Sequence, residues 1–338
     1  MPTKTNRQWC LSSRPAGIIE PSNFTWKEEP VPTLADGELL VRNIYLSLDP
    51  AAWGWMQDWV TYVPALAIGD VMHGITLGVV EESTNQRFNI GDLVYGLLGW
   101  EDYTVTNGVG LMRYQRDPSI PLPAYLSVFG LTGLTAYFGL LDIGKPKAGE
   151  TIVVSAAAGA VGSIAGQIGK IKECRVVGLA GTDEKCNWLT DELGFDEAIN
   201  YKTEKIRKSL MKQCPDGIDI YFENVGGPIL NAVLTLINLQ ARIVLCGMIS
   251  QYSSDDFGSG PNIANMIPKR ARMQGFIVTD YFKRAKEAIE ELKTWITENR
   301  IKYKVDIVEG LENAPTAIGK LFDGTNKGKL MIKVSEEP

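Results

Sequence analysis

Between residues 37 and 106 the chain runs in short apolar bursts cut by polar and turn residues: "GELLVRNIYLSLDP", "HGITLGVVEES" and "GDLVYGLLGWEDYTVT". β-Branched and aromatic residues bounded by Gly, Pro, Asp and Asn predict strands, and no long amphipathic helix interrupts them, so residues 1 to about 125 read as β-rich. From about residue 150 the pattern changes. Strand-like segments "TIVVSA", "CRVVGLAG", "EAIN", "IDIYFENVGG", "ARIVLCGMIS" and "MQGFIV" alternate with helix-like stretches. That alternation predicts an α/β fold with a doubly wound parallel sheet. After the predicted helix "DYFKRAKEAIEELKTWITENR" the chain returns to β-like text, which either completes the first domain or forms a third unit. The domain expectation is therefore 1–125 with a return over 301–338, around a doubly wound domain at 126–300.

One stretch, "IPLPAYLSVFGLTGLTAYFGLL" from Ile120 to Leu141, carries no charge and is long enough to span a bilayer. Two prolines at its start, three glycines and several hydroxyls argue instead for a buried helix near a domain junction. The 338 residues are enough for two cores, and the composition (45% hydrophobic, 22% charged) is that of a globular enzyme. A net charge of -6 and a pI near 5.1 argue against a general nucleic-acid binder, which needs a basic surface. Five cysteines, at 10, 174, 186, 214 and 246, form no close pair and no CxxC, which predicts reduced thiols and a cytoplasmic protein. His73 is the single histidine, so neither a Ser-His-Asp triad nor a catalytic zinc site is expected, and proton chemistry falls to Tyr, Lys, a carboxylate or water.

The run "VVSAAAGAVGSIAGQIGK" puts small residues directly behind a β-branched strand. Side chains there would obstruct a large anion lying against the backbone at a helix start. In the GxGxxG frame the three positions are Ala157, Gly159 and Gly162, and the strand–turn–helix–strand context turns a weak motif into a dinucleotide site. The second strand ends in Ala180 and Gly181 with no carboxylate for a ribose 2′-hydroxyl, while Thr182 and Lys185 follow at once and can meet a 2′-phosphate. Asp183 is the dissenting residue, as a ribose ligand or as a first-turn helix acid. The balance favours NADP(H) over NAD.

The texts "LSLDPAAWGWM", "TYVPA", "LTGLTAYFGL", "AAAGAVGS", "AGTDEKC", "LGFDEAINYK", "FENVGG", "CGMISQY", "GFIV" and "GTNKGK" together resemble a zinc-independent branch of the medium-chain dehydrogenase/reductase superfamily. This is the branch of leukotriene hydroxydehydrogenases, prostaglandin reductases, alkenal double-bond reductases and bacterial curcumin reductase-like enzymes. The resemblance implies a GroES-like β domain made from both chain ends around an NADP-binding Rossmann domain, a homodimer, and an active site in the cleft between domains. It places Gly159, Val161 and Gly162 at the pyrophosphate, and Gly181, Lys185 and Tyr201 near the adenosine phosphate. Asn224, Cys246, Ser250, Tyr252, Phe276, Val278 and Asn326 would line the nicotinamide half or the pyrophosphate. Bland roles remain open: a turn for Asn224, a small hydrophobe for Cys246, strand core for Phe276 and a hairpin turn for Asn326. Two positions depart from the family text. Trp53 stands where Arg is common, and Pro228 replaces a commoner acid at a helix start, where proline is tolerated.

The activity implied is NADPH-dependent reduction of the carbon–carbon double bond of an α,β-unsaturated ketone or aldehyde, without metal. Hydride goes to the β carbon, and hydroxyl donors, Tyr252 and the cofactor ribose, stabilise the enolate oxygen. Tyr62 and Trp53 are the candidate substrate contacts, against a plain aromatic core with Trp55 and Trp59. Quinone reduction by the same hydride transfer and a non-catalytic NADPH-binding sensor are the alternatives. The partners expected are a small enone or enal and a second copy of the chain, with no nucleic acid and no membrane.

Overall fold

A computed structural model describes residues 4–59, 62–252 and 260–338. The chain forms two compact units, one of Met1–Leu126 with Val305–Pro338 and one of Ser127–Lys304.

The first unit begins with an antiparallel ribbon of β1 (Thr5–Leu11) and β2 (Phe24–Pro30), in which Trp9 faces Trp26. Neither strand stands out from the sequence, because "FTWKEEP" is mostly charged or exposed. Next come β3 (Leu39–Ser47), β4 (His73–Ser83), β5 (Leu93–Gly99), β6 (Tyr103–Thr106) and β7 (Met112–Tyr114). The first two are almost wholly buried, which explains their continuous apolar text. The end of the chain joins the same sheet: β14 (Val305–Glu309) pairs with β15 (Lys329–Lys333), which pairs with β3, in the order β14-β15-β3-β4-β5-β7. No third unit forms from it. Lys329, buried in β15, donates to the Leu48 carbonyl and to Asp49, both at 2.8 Å, and so fastens the returning strand to the end of β3.

The second unit holds β8 (Thr151–Val154), β9 (Arg175–Ala180), β10 (Glu197–Asn200), β11 (Ile218–Glu223), β12 (Ile237–Leu245) and β13 (Arg272–Gly275). They form one parallel sheet in the order β10-β9-β8-β11-β12-β13. This is the doubly wound Rossmann order, whose direction of winding reverses between β8 and β11 and opens a ligand crevice at the strands' carboxyl ends. Two sequence expectations need trimming. "MQGFIV" is strand only to Gly275, because the partner β12 ends at the paired Leu245, and Val278 starts a tight 3₁₀ turn. The helix expected over 280–300 begins properly at Ala285 and runs to Thr297.

The uncharged stretch is not one helix. It divides into Leu122–Leu126 and Leu131–Phe138, with the boundary between the units at Leu126/Ser127. A Cβ at Gly133 would lie 1.8 Å from the Val128 carbonyl oxygen, so the second helix can start there only with glycine. Among the described residues no helix is long and apolar enough to cross a membrane.

Candidate functional site

Beyond β8 the chain reverses at Ala156, which has a left-handed φ of 46°. Such a conformation costs a non-glycine residue about 1–2 kcal/mol, and here it turns the Ala156 carbonyl toward the start of the helix Ala160–Ile171. The two glycines of the motif fit around that oxygen. A Cβ at Gly159 would lie 3.1 Å from it and one at Gly162 only 2.5 Å, with the Ala157 Cα at 2.9 Å. Ala157 is fully buried against β9, where its methyl lies 2.9 Å from the position a Gly178 Cβ would take. Its methyl is therefore used for strand packing, which explains why the first position of the motif tolerates alanine. Gly159 caps the helix without a side chain, so the first-turn N–H groups, with that of Val161 among them, face outward as an anion cradle.

At the end of β9, Gly181 leaves room for Tyr201: a Cβ would lie 2.9 Å from the phenol oxygen. Tyr201 is anchored by its N–H to the Ala180 carbonyl at 3.1 Å, and burial pushes its phenol up. Thr182 caps the next helix, Asp183–Asn187, by accepting from the Lys185 N–H at 3.2 Å. Asp183 takes the first-turn position and accepts from the buried Asn200 amide at 2.6 Å. That bond commits the dissenting carboxylate to the end of β10.

The reversal point between β8 and β11 is held by residues the sequence reading passed over. Ser155 accepts from the Asn224 N–H at 2.8 Å, and its carbonyl accepts from the Asn224 side-chain amide at 2.7 Å. Asn224 is therefore a strand-end clamp, more than a turn residue. Glu223, fully buried, accepts through Oε1 from Ser155 at 2.8 Å and from the Val225 N–H at 2.6 Å. Its carbonyl accepts from the N–H groups of Cys246 and Gly247. Burial, with the nearby Glu223 charge, pushes the Cys246 thiol up to about 12, so it is an inert small group at neutral pH. Ser250 donates to the Val225 carbonyl at 2.5 Å. Tyr252, at the end of the short helix Ile249–Tyr252, folds its hydroxyl back to accept from the Met248 N–H at 3.2 Å, and burial raises its phenol. A carboxylate followed by Asn at a strand's carboxyl end, "FEN", is the signal that points to Glu223.

Thus Gly159, Val161 and Gly162 share the helix start, Gly181, Lys185 and Tyr201 the β9–β10 ends, and Asn224, Cys246, Ser250 and Tyr252 the β11–β12 ends. Phe276 packs over Gly139, where a Cβ would come within 2.6 Å of its ring, and Val278 follows at half-burial. Phe276 lies just past β13, outside any strand. Asn326, Trp53 and Tyr62 belong to the first unit. The hairpin reading of Asn326 does not hold, since β14 and β15 run parallel; the residue is buried in the loop before β15, donating to the Gly328 carbonyl at 3.0 Å. Trp53 donates to the Gly17 carbonyl at 2.7 Å and tilts against Trp59, and Trp55 is core. Tyr62, 54% exposed, is not part of that core. Pro228 sits in the first turn of the helix Gly227–Leu234, where its missing N–H costs nothing. Among the described residues no group of three or more His, Cys, Asp or Glu side chains stands where it could hold a metal ion.

Comparison with known proteins places these features in a family. Residues 7–114 match the family described as N-terminal domain of oxidoreductase, and residues 160–294 the family described as zinc-binding dehydrogenase. The NADPH-dependent curcumin reductase of Escherichia coli is 46% identical, over 98% of this chain and 97% of the relative. The NADP(+)-dependent 2-alkenal reductase of Nicotiana tabacum is 40% identical, over 98% of each. The crystal structure of CurA from Vibrio vulnificus in complex with NADPH superimposes with a TM-score of 0.92 at 44% identity, over 98% of this chain and 100% of that one. With its glycine cradle, its strand order and this end-to-end similarity, the chain belongs to the medium-chain dehydrogenase/reductase family, among the curcumin, alkenal and prostaglandin reductases.

Proposed function

We propose that this protein uses NADPH to reduce the carbon–carbon double bond of α,β-unsaturated ketones and aldehydes. The observation that carries the reading is the end-to-end similarity, at 46% identity, to the E. coli curcumin reductase, together with a glycine cradle suited to a dinucleotide. Bound NADPH supplies the hydride that adds to the substrate's β carbon. The helix start at Gly159–Gly162 binds the pyrophosphate, and Lys185 pairs with the 2′-phosphate. Asn224, Cys246 and Ser250 shape the surface for the nicotinamide half, with Phe276, Val278 and Asn326 as further contacts to the cofactor. The Tyr252 hydroxyl bonds the enolate oxygen as charge develops there, and the α carbon then takes a proton. Trp53 and Tyr62 contact the substrate.

The chemistry proceeds without metal, a reading that rests on the single histidine and scattered cysteines of the sequence. The protein works in the cytoplasm, in keeping with five cysteines outside any disulfide. It acts as a homodimer. β13 is an edge strand with no buried residue, and the helix before it leaves Ile267 80% exposed, a pairing edge that a second copy would cover.

A panel of enones, enals and quinones read at the NADPH absorbance tests the reading. Steady oxidation with enones and enals, unchanged after exhaustive chelation, is expected. Turnover on quinones alone would move the assignment to a quinone reductase, and binding of NADPH without any turnover to a sensor.

A further inference from the structure

Glu223 is the last residue of β11 and is wholly buried. Among the described residues no cation pairs with it, and its Oε2 and the hydroxyl of Tyr221, two residues earlier on the same face, make no hydrogen bond of good geometry, although the Tyr221 hydroxyl lies close enough to Glu223 and Ser155 for their polar groups to act on it. Burying a carboxylate without a cation costs several kcal/mol, so stability alone favours an apolar side chain at this position. What the residue does instead is geometric, two bonds through its carboxylate and two through its main-chain carbonyl. Four bonds converge on this one residue: Ser155 Oγ at 2.8 Å and the Val225 N–H at 2.6 Å on Oε1, and the Cys246 and Gly247 N–H groups at 2.9 and 3.1 Å on its carbonyl. Their donors come from the turns that follow β8, β11 and β12. Ser155 passes the constraint on, because the Oγ that donates to Glu223 also accepts from the Asn224 N–H.

We propose that Glu223 is a positioning residue for hydride transfer, its carboxylate fixing the turns of Ser155 and Asn224–Val225 against the Cys246 turn that its main-chain carbonyl holds, in one arrangement that the nicotinamide half of the cofactor requires. The proposal rests on the NADPH reading above. It goes beyond it by naming a buried residue that acts through the turns carrying Asn224 and Cys246.

The experiment compares Glu223→Gln, Glu223→Asp and Ser155→Ala with the wild type by binding of NADPH, binding of 2′,5′-ADP and enone turnover. The amide of Glu223→Gln keeps an acceptor at Oε1 and gives the Tyr221 hydroxyl an N–H to accept. Binding and turnover are expected within about threefold of wild type, since one neutral hydrogen bond replaces another. Glu223→Asp withdraws the oxygen by one methylene, so both the Ser155 and Val225 bonds fail. A misplacement of that size is expected to lower turnover and the ratio of NADPH to 2′,5′-ADP affinity by about tenfold or more, with 2′,5′-ADP affinity itself unchanged. Ser155→Ala should fall between the two.

A wild-type affinity ratio in Glu223→Asp overturns the proposal. So does a Glu223→Gln variant as impaired as Glu223→Asp, which would make the charge and not the bonding decisive. Parallel loss of NADPH and 2′,5′-ADP binding in Glu223→Asp, which marks plain unfolding, overturns it as well. If the wild type binds NADPH but reduces no enone, the enzymatic reading fails while the affinity ratio still decides the role of Glu223.

Discussion

Glu101 in the first unit and Glu223 in the second are both buried carboxylates without an ion pair among the described residues, and the two are treated differently. Both oxygens of Glu101 are satisfied: Oε2 accepts from Asn6 at 2.9 Å and Gln8 at 2.7 Å, and Oε1 from Thr104 at 2.7 Å. Those donors lie on β1 and β6, so Glu101 closes a polar network that fastens the N-terminal ribbon to the sheet. Glu223 makes well-formed bonds through one oxygen, and the other has only the Tyr221 hydroxyl nearby, without a hydrogen bond of good geometry. A fully satisfied buried acid serves the fold, whereas a half-satisfied one at a sheet's reversal point keeps an unfavourable group in place for the site.

The comparison breaks first at Glu101. Glu101→Ala strands the Gln8 and Thr104 donors and half of the Asn6 amide, and is expected to cost about 3 kcal/mol in denaturant unfolding while leaving the Michaelis constant for NADPH and turnover per folded molecule unchanged. Kinetic damage without loss of stability would erase the distinction. The same residue sets a pH dependence. Burial holds its carboxyl above the usual carboxylate range, despite the donors from Thr104, Gln8 and Asn6 that favour the charged form. The folded state therefore binds this proton more tightly than the unfolded chain, and stability is lost as pH rises from the unfolded carboxylate value through the raised folded one. A stability–pH curve that Glu101→Gln leaves unflattened contradicts this.

On the other side of the comparison, Gly162→Ala forces a methyl within 2.5 Å of the Ala156 oxygen. The cradle must move, and NADPH affinity should drop about a hundredfold by titration, with only a modest change in melting temperature. Lys185→Ala should raise the Michaelis constant for NADPH about ten- to a hundredfold and leave that for NADH nearly untouched, as loss of one charge-assisted phosphate contact requires. Equal changes for both cofactors would make Lys185 a surface charge. The smallest effect belongs to Tyr252→Phe, expected to lower turnover about tenfold with NADPH binding retained, because the ribose hydroxyl shares the load on the enolate oxygen. Wild-type turnover would remove Tyr252 from the mechanism and assign stabilisation and proton to water.

The glycine run shows how far a sequence can be read. Small residues behind "TIVV" announce a close backbone approach, and the structure supplies the reason at Gly162, where the obstacle is the protein's own Ala156 carbonyl. The left-handed Ala156 that aims this carbonyl carries no sequence mark, since alanine has no preference for that conformation. Asp183 is similar. Its sequence position left a ribose role open, and only the pairing of β10 with β9 shows that the Asn200 amide lies on one of its carboxylate oxygens. β1 and β2 escaped notice because their residues alternate weakly and one strand is largely exposed.

By itself, the sequence determined the alternation of strand and helix, the parallel sheet that follows from it, the phosphate cradle and the absence of a carboxylate at the end of β9. These are local: each depends on residues within a turn or a strand of one another, where periodicity and steric limits act directly. Tertiary structure alone decided that β15 returns to β3, that Ser155 and Asn224 lock together across 69 positions, and that Glu223 gathers three strand ends. Those contacts join residues far apart in the chain, and hydrogen-bond partners are chosen by which strands lie side by side, an order that no local pattern encodes.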